Sequence, residues 1–133
     1  MSPIVATVTT IDNLEQLNIV EFDFQGLKLK MMSLDLNANV QVGKRVVLSI
    51  KPTNIALAKN ITGDLSFSNQ IVATIDSLIM GELLSSVVLK TKEILFESII
   101  TVSSAKRMNL QQNDEVIMLI KASDVSILEV LHD

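Results

Sequence analysis

Short stretches of alternating apolar and polar residues dominate the chain. Val20, Phe22 and Phe24 alternate with Glu21, Asp23 and Gln25, and beyond Gly26 the residues Leu27, Leu29 and Met31 alternate with Lys28 and Lys30. A period of two on both sides of a tight turn at Gln25-Gly26 predicts a half-buried β-hairpin. A second hairpin is predicted where Val87, Leu89 and Thr91 lead to a turn near Lys92-Glu93 and Ile94, Phe96 and Ser98 return. Residues 46–50, broken only by Ser49, and residues 116–120 are apolar runs, the pattern of strands covered on both faces, as at a subunit contact. Ile55 with Leu57, and Val125 with Ile127, predict a last short strand after each run. One helical turn is predicted at 105–109, with Ser103 and Ser104 as N-cap candidates.

These elements occur twice. Ile4-Val5-Ala6-Thr7-Val8 returns as Ile71-Val72-Ala73-Thr74-Ile75, and Val46-Val47-Leu48-Ser49-Ile50-Lys51 returns as Val116-Ile117-Met118-Leu119-Ile120-Lys121. Two matches in the same order, each ending in a strand-like run, indicate an internal repeat. The second copy is slightly longer in the middle. The expected domains are residues 1–60 and 66–133, joined by the polar linker Lys59-Asn60-Ile61-Thr62-Gly63-Asp64. About five short strands and at most one helical turn in roughly 60 residues predict an all-β chain of two tandem OB-like small β-barrels. Units this small bury a modest share of their surface, so association between units and between chains is expected.

Composition narrows the function. The chain has 133 residues, 48% of them hydrophobic, which excludes a disordered protein. No apolar run approaches the ~18 residues of a membrane span. Met1-Ser2-Pro3 carries no basic stretch leading into an apolar core, so no signal peptide is expected and the expected location is cytoplasmic. With no cysteine there is neither a disulfide framework nor a zinc–thiolate site. A net charge of -4 and an aromatic content of 3% disfavour nucleic acid, which calls for basic faces and stacking platforms.

Catalytic chemistry finds few residues. The single histidine, His132, sits beside the C-terminus and reads as a terminal residue. Without a second histidine or any cysteine, no Ser-His or Cys-His pair can be built. Glu21 and Asp23 share a strand face, which solvent explains better than acid–base work. The four glycines, Gly26, Gly43, Gly63 and Gly81, are isolated and form no phosphate loop, and the scattered methionines read as core filler. What remains is a set of donors: Ser66-Phe67-Ser68-Asn69, Thr101-Val102-Ser103-Ser104 and Ile120-Lys121-Ala122-Ser123. A tetrahedral dianion needs converging donors and no nearby carboxylate, and hydroxyls, a lysine and the free amides after Ser104 could supply them. The same residues would also serve as caps, turns and a strand-covering lysine, and composition alone favours that simpler use.

The stretches Ile100-Thr101-Val102-Ser103-Ser104, Leu110-Gln111-Gln112-Asn113-Asp114-Glu115-Val116 and Ile120-Lys121-Ala122-Ser123-Asp124-Val125 resemble the MOP or TOBE domain of molybdate-binding proteins. That family's pattern is I-T-x-x-S, L-x-x-G-D-x-V and I-K-A-S-x-V. Ser66-Phe67-Ser68-Asn69-Gln70 falls where the family has S-A-R-N-Q. As two tandem copies, the chain resembles the free-standing molbindins. The resemblance implies molybdate or tungstate as bound ligand, no catalysis, and no side chain ligating a metal directly. It places oxyanion contacts at Ser66, Thr101, Ser104, Lys121, Ala122 and Ser123, with Ser68 in the same loop. It also implies a homo-oligomer, a trimer of tandem repeats or a dimer, with no nucleic acid and no membrane insertion.

Three departures bear on the site. Ser68 stands where the family has arginine, so a fixed charge is lost. Asn113 replaces the turn glycine, a place where asparagine can still adopt the left-handed conformation. The first repeat ends Ile50-Lys51-Pro52-Thr53, has no clear T-x-x-S, and loses an amide donor at Pro52. The second repeat is therefore expected to bind and the first to act mainly as scaffold. Storage or buffering of molybdenum is the leading expectation. An anion-free module regulating a partner such as a molybdate transporter is the alternative.

Overall fold

The computed structural model describes residues 3–132. The strands are β1 (Ile4–Leu14), β2 (Leu17–Phe24), β3 (Leu27–Ser33), β4 (Arg45–Ser49), β5 (Ala56–Ala58), β6 (Asn69–Met80), β7 (Leu84–Thr91), β8 (Ile94–Thr101), β9 (Glu115–Ile120) and β10 (Ser126–Val130). A six-residue helix α1 (Val102–Arg107) follows β8, and 3₁₀ turns occupy Pro52–Asn54 and Ala122–Asp124. Both predicted hairpins form: Phe22 faces Leu29 across β2–β3, and Leu89 faces Phe96 across β7–β8. Gln25 and Gly26 both have positive φ, as does Lys92, which is what two-residue hairpin turns demand.

The strands form two five-stranded sheets, in the orders β10-β4-β1-β2-β3 and β5-β9-β6-β7-β8. This corrects the expected boundaries. The last strand of each sequence repeat does not join its own repeat: β5 pairs antiparallel with β9, and β10 pairs antiparallel with β4. The compact units are therefore residues 3–50 with 121–132 (the first unit) and residues 51–120 (the second unit). The physical reason is pairing. β4 and β9 are the strands beside β1 and β6, and each needs a partner on its other edge to satisfy its backbone groups. The apolar runs are these same strands. In β4 the exposure alternates, with Val46 and Leu48 buried and Val47 half-buried, whereas in β9 Met118, Leu119 and Ile120 are all buried.

The two units share their irregular features as well as their strands. A bulge interrupts β1 between Val8 and Thr10 and β6 between Ile75 and Ser77. Each bends a long strand so that its two halves pair with different neighbours. Next to it lies a left-handed residue, Gly43 at φ 93° or Asn113 at φ 73°. Gly43 N–H donates to Val8 O at 2.8 Å, and Asn113 N–H donates to Ile75 O, also at 2.8 Å. Asparagine thus fills the glycine position of the motif without losing the turn.

The units differ in how the gap beside the outermost strands is filled. In the second unit the hydroxyl of Ser98, on β8, donates to Ile55 O at 2.6 Å, and both residues are buried. Helix α1 also covers this unit through Ala105, which is fully buried. Sequence patterning places α1 three residues late and names the wrong caps. The N-cap is Thr101, whose Oγ1 accepts from Ser104 N–H at 3.1 Å. The first unit has no counterpart of α1. Between β3 and β10 it leaves a cavity of about 400 Å³, lined by Met31, Val40 and Val125 among others, with Asp35 and Glu129 also on its wall.

Lys59, expected in a linker, is built into the second unit. Its ammonium donates to Met108 O at 3.1 Å, to Asn109 O at 2.8 Å and to Asp114 Oδ2 at 2.9 Å. All three of its donors are thereby used, two of them on the carbonyls that end α1. Asp114 Oδ2 also accepts from Gln111 N–H at 2.9 Å. The hydrogen bond from Lys59, and then that from the Gln111 amide, hold the Asp114 carboxyl below its ordinary value of 3.8.

Two outcomes follow. Leu29 and Leu89 are each 0% exposed, one in each unit, so Leu29→Ala and Leu89→Ala should each cost about 2–5 kcal/mol in denaturant titration. The second concerns pH. A carboxyl whose folded pKa is depressed adds stability above its unfolded value and loses it as pH falls through the folded value. Lys59→Ala should lower the melting midpoint at neutral pH. The gap to wild type should narrow as pH is taken below about 3.8. A gap that stays constant from pH 7 into strong acid would contradict the role given to this pair.

Candidate functional site

The predicted site residues separate into two groups. Ser66, Ser68, Thr101 and Ser104 belong to the second unit, and Lys121, Ala122 and Ser123 belong to the first. The division follows from the strand exchange, because the I-K-A-S stretch crosses from β9 into the segment that feeds β10.

In the second unit, Ser66 and Ser68 are exposed on the segment entering β6. The two residues that follow them hold this segment. Asn69 is 2% exposed and donates through Nδ2 to Ile120 O at 3.2 Å. Gln70 Nε2 reaches back to Phe67 O at 2.9 Å and Leu65 O at 3.3 Å. The asparagine and glutamine of the motif thus shape the loop, while its serines face solvent.

Thr101 and Ser104 meet where β8 passes into α1. Thr101 Oγ1 donates to Ser104 Oγ at 3.1 Å and accepts the Ser104 amide at the same distance. Thr101 is exposed and Ser104 half-buried, so the hydroxyl pair is anchored on its protein side and open on the other. The fold is what brings them together: β8 ends in the extended conformation at Thr101 (φ -69°, ψ 149°), and Ala105 roots the helix in the core. One cation was missed by sequence reasoning. Arg107 Nη2 donates to Ser104 Oγ at 3.3 Å. Its position three residues after Ser104, on the same helix face, was the available signal.

The 3₁₀ turn Pro52–Asn54 packs beside β8 in this unit, so Lys51-Pro52-Thr53 share it with Thr101 and Ser104. Its counterpart Ala122–Asp124 packs beside β3 in the first unit. There Lys121 is exposed, and Ser123 lines the cavity that also holds Asp35 and Glu129. Two carboxylates make that cavity a poor place for an anion. Where the second repeat has T-x-x-S, the first has the loop after β3, in which Asn37 Oδ1 caps Asn39 N–H at 2.8 Å and Ser33 Oγ donates to Asp35 O at 2.7 Å.

Among the described residues, no group of three or more His, Asp or Glu side chains could hold a metal ion. His132 is exposed beyond the end of β10. No helix is long and apolar enough to cross a membrane.

Residues 65–127 match the model of the TOBE domain family. No curated protein sequence matches the chain. Among solved structures, the chain is similar to the cytoplasmic molybdate-binding protein ModG in a crystal form with molybdate bound. The TM-score is 0.89 and the identity 22%, over 95% of this chain and 94% of that one. It also matches a molybdate-binding protein from Sporomusa ovata at 25% identity and a TM-score of 0.49, over 50% of this chain and all of that one. The ModG likeness spans both sheets and establishes the fold as a tandem pair of OB-like units. Residues 65–127 are thus similar to the TOBE domain, and they lie within the tandem fold.

Proposed function

We propose that this protein binds molybdate or tungstate without catalysis, in the cytoplasm, for storage or buffering of molybdenum. The observation that carries this reading is the Thr101–Ser104 hydroxyl pair of a TOBE-type T-x-x-S motif, held at 3.1 Å and open to solvent. A fully deprotonated dianion accepts hydrogen bonds and donates none, so hydroxyl and amide donors suit it. Phosphate near neutral pH keeps at least one proton, which such a site leaves without an acceptor. Molybdate binding by the structurally similar ModG supports the same reading. The proposed contacts are Ser66, Ser68, Thr101 and Ser104 in the second unit and Lys121, Ala122 and Ser123 in the first.

Association of chains belongs to this reading. Large apolar side chains stand out at the hairpin ends of each unit: Leu14 is 74% exposed in the first, and Ile79 and Leu83 are 69% and 81% exposed in the second. We take these side chains as the surface through which chains would associate. We expect a homo-oligomer, a trimer or a dimer.

Calorimetric titration with molybdate, tungstate, sulfate and phosphate in parallel tests the function. Tight molybdate and tungstate binding with weak phosphate binding is the expected result, and equal affinity for phosphate would contradict it. Light scattering should give a mass above that of one chain at micromolar concentration, and a stable monomer would remove the expectation of association.

A further inference from the structure

We infer that Arg107 is an anion-contact residue of the second unit, supplying the positive charge that the Ser66–Asn69 loop lacks and orienting the Ser104 hydroxyl toward the ligand. This inference rests on the oxyanion reading above and adds a residue to it.

The loop Asp64-Leu65-Ser66-Phe67-Ser68-Asn69 contains no basic residue. Of the other cations in the second unit, Lys51 and Lys106 are exposed and neither is hydrogen-bonded to Thr101 or Ser104 among the described residues, and Lys59 has all three donors occupied by Met108 O, Asn109 O and Asp114. Lys90 and Lys92 lie at the other end of the β7–β8 hairpin, since β8 runs eight residues from Ile94 to Thr101. That separation is on the order of 20 Å at the rise of a strand. Arg107 is different. Its long side chain leans back toward the N-terminus of α1, as helical side chains do, and its Nη2 reaches Ser104. Among the described residues no carboxylate pairs with it, so its charge is not neutralised locally.

The Ser104 proton has a defined direction. A hydroxyl offers one donor and two acceptor positions. Ser104 Oγ accepts from Thr101 Oγ1 at 3.1 Å and from Arg107 Nη2 at 3.3 Å, which fills both acceptor positions. Its own O–H has no acceptor among the described residues and is left to donate outward. A serine held as a pure donor, beside a guanidinium with further N–H groups free, is complementary to a species that only accepts. A lysine at this place would bring charge as a point; the guanidinium fork can hold Ser104 and an oxyanion oxygen together.

The test is titration of the full chain with tungstate at low salt, for wild type, Arg107→Ala, Arg107→Gln, Arg107→Lys and the neighbouring exposed Lys106→Ala. Arg107→Ala is expected to weaken binding about ten-fold or more, the scale of one charge-assisted contact. Arg107→Gln keeps a donor without charge and should stay weak. Arg107→Lys should recover part of the loss, and Lys106→Ala should bind like wild type. The difference between wild type and Arg107→Ala should shrink as salt is raised to roughly 0.5 M, because an exposed charge is screened. Thermal midpoints of all variants should match, since Arg107 is exposed and makes no core contact.

If wild type binds tungstate and Arg107→Ala binds it equally well, the inference is overturned while the oxyanion reading stands. Equal losses for Lys106→Ala and Arg107→Ala would reduce the effect to general surface charge and overturn it too. If wild type binds no oxyanion, the underlying reading fails and this inference falls with it.

Discussion

A strand at the middle of a small sheet must be paired on both edges, and this requirement organises the molecule. β4 and β9 lie inside their sheets, and each is flanked on one side by the long bulged strand of its own repeat. The other flank is filled from the opposite repeat, by β10 beside β4 and by β5 beside β9. Because the exchange happens at the end of each repeat, it also carries the residues just before the exchanged strand. Lys51-Pro52-Thr53 come to the second unit and Lys121-Ala122-Ser123 to the first.

That exchange makes the units unequal in a way that bears on chemistry. The second unit has Ser98 bonded to Ile55 O, α1 rooted by Ala105, and Lys59 holding the far end of that helix. Helix α1 is therefore held in the core by Ala105 and at its C-terminal end by Lys59, and the Thr101–Ser104 hydroxyls sit at its start. Placement of this kind lowers the ordering cost of binding. The first unit has Met31 on the strand that corresponds to the one bearing Ser98. It has no α-helix, and it leaves a cavity with two carboxylates on its wall. The hydroxyl pair of the T-x-x-S motif is built in one unit only.

Much of the fold could be read from residue order because its signals are local. The period of two in β2–β3 and β7–β8, broken by Gln25-Gly26 and Lys92-Glu93, needs only neighbours to interpret it. The repeat likewise declares itself through matching strings. The strand exchange could not be read this way. Ala56–Ala58 and Ser126–Val130 follow nearly identical apolar runs, and nothing local tells either which sheet it will close. The helix cap was misplaced because Thr101 has the β-branched character of a strand residue, and its capping role depends on the chain turning just after it. Lys59 and Arg107 look like ordinary surface charges in sequence. One is spent on helix carbonyls and Asp114, the other reaches Ser104, and only the turn of α1 sets those distances.

Fold and chemistry meet at the hydroxyls of Thr101 and Ser104. The most direct test is a crystal structure of the protein grown with tungstate, in which the anomalous scattering of tungsten locates the anion without reference to any motif. A tungsten peak with an oxygen atom in hydrogen-bonding reach of Ser104 Oγ is expected. Tungsten bound only at other positions, with these hydroxyls facing solvent in a fully loaded protein, would contradict this expectation.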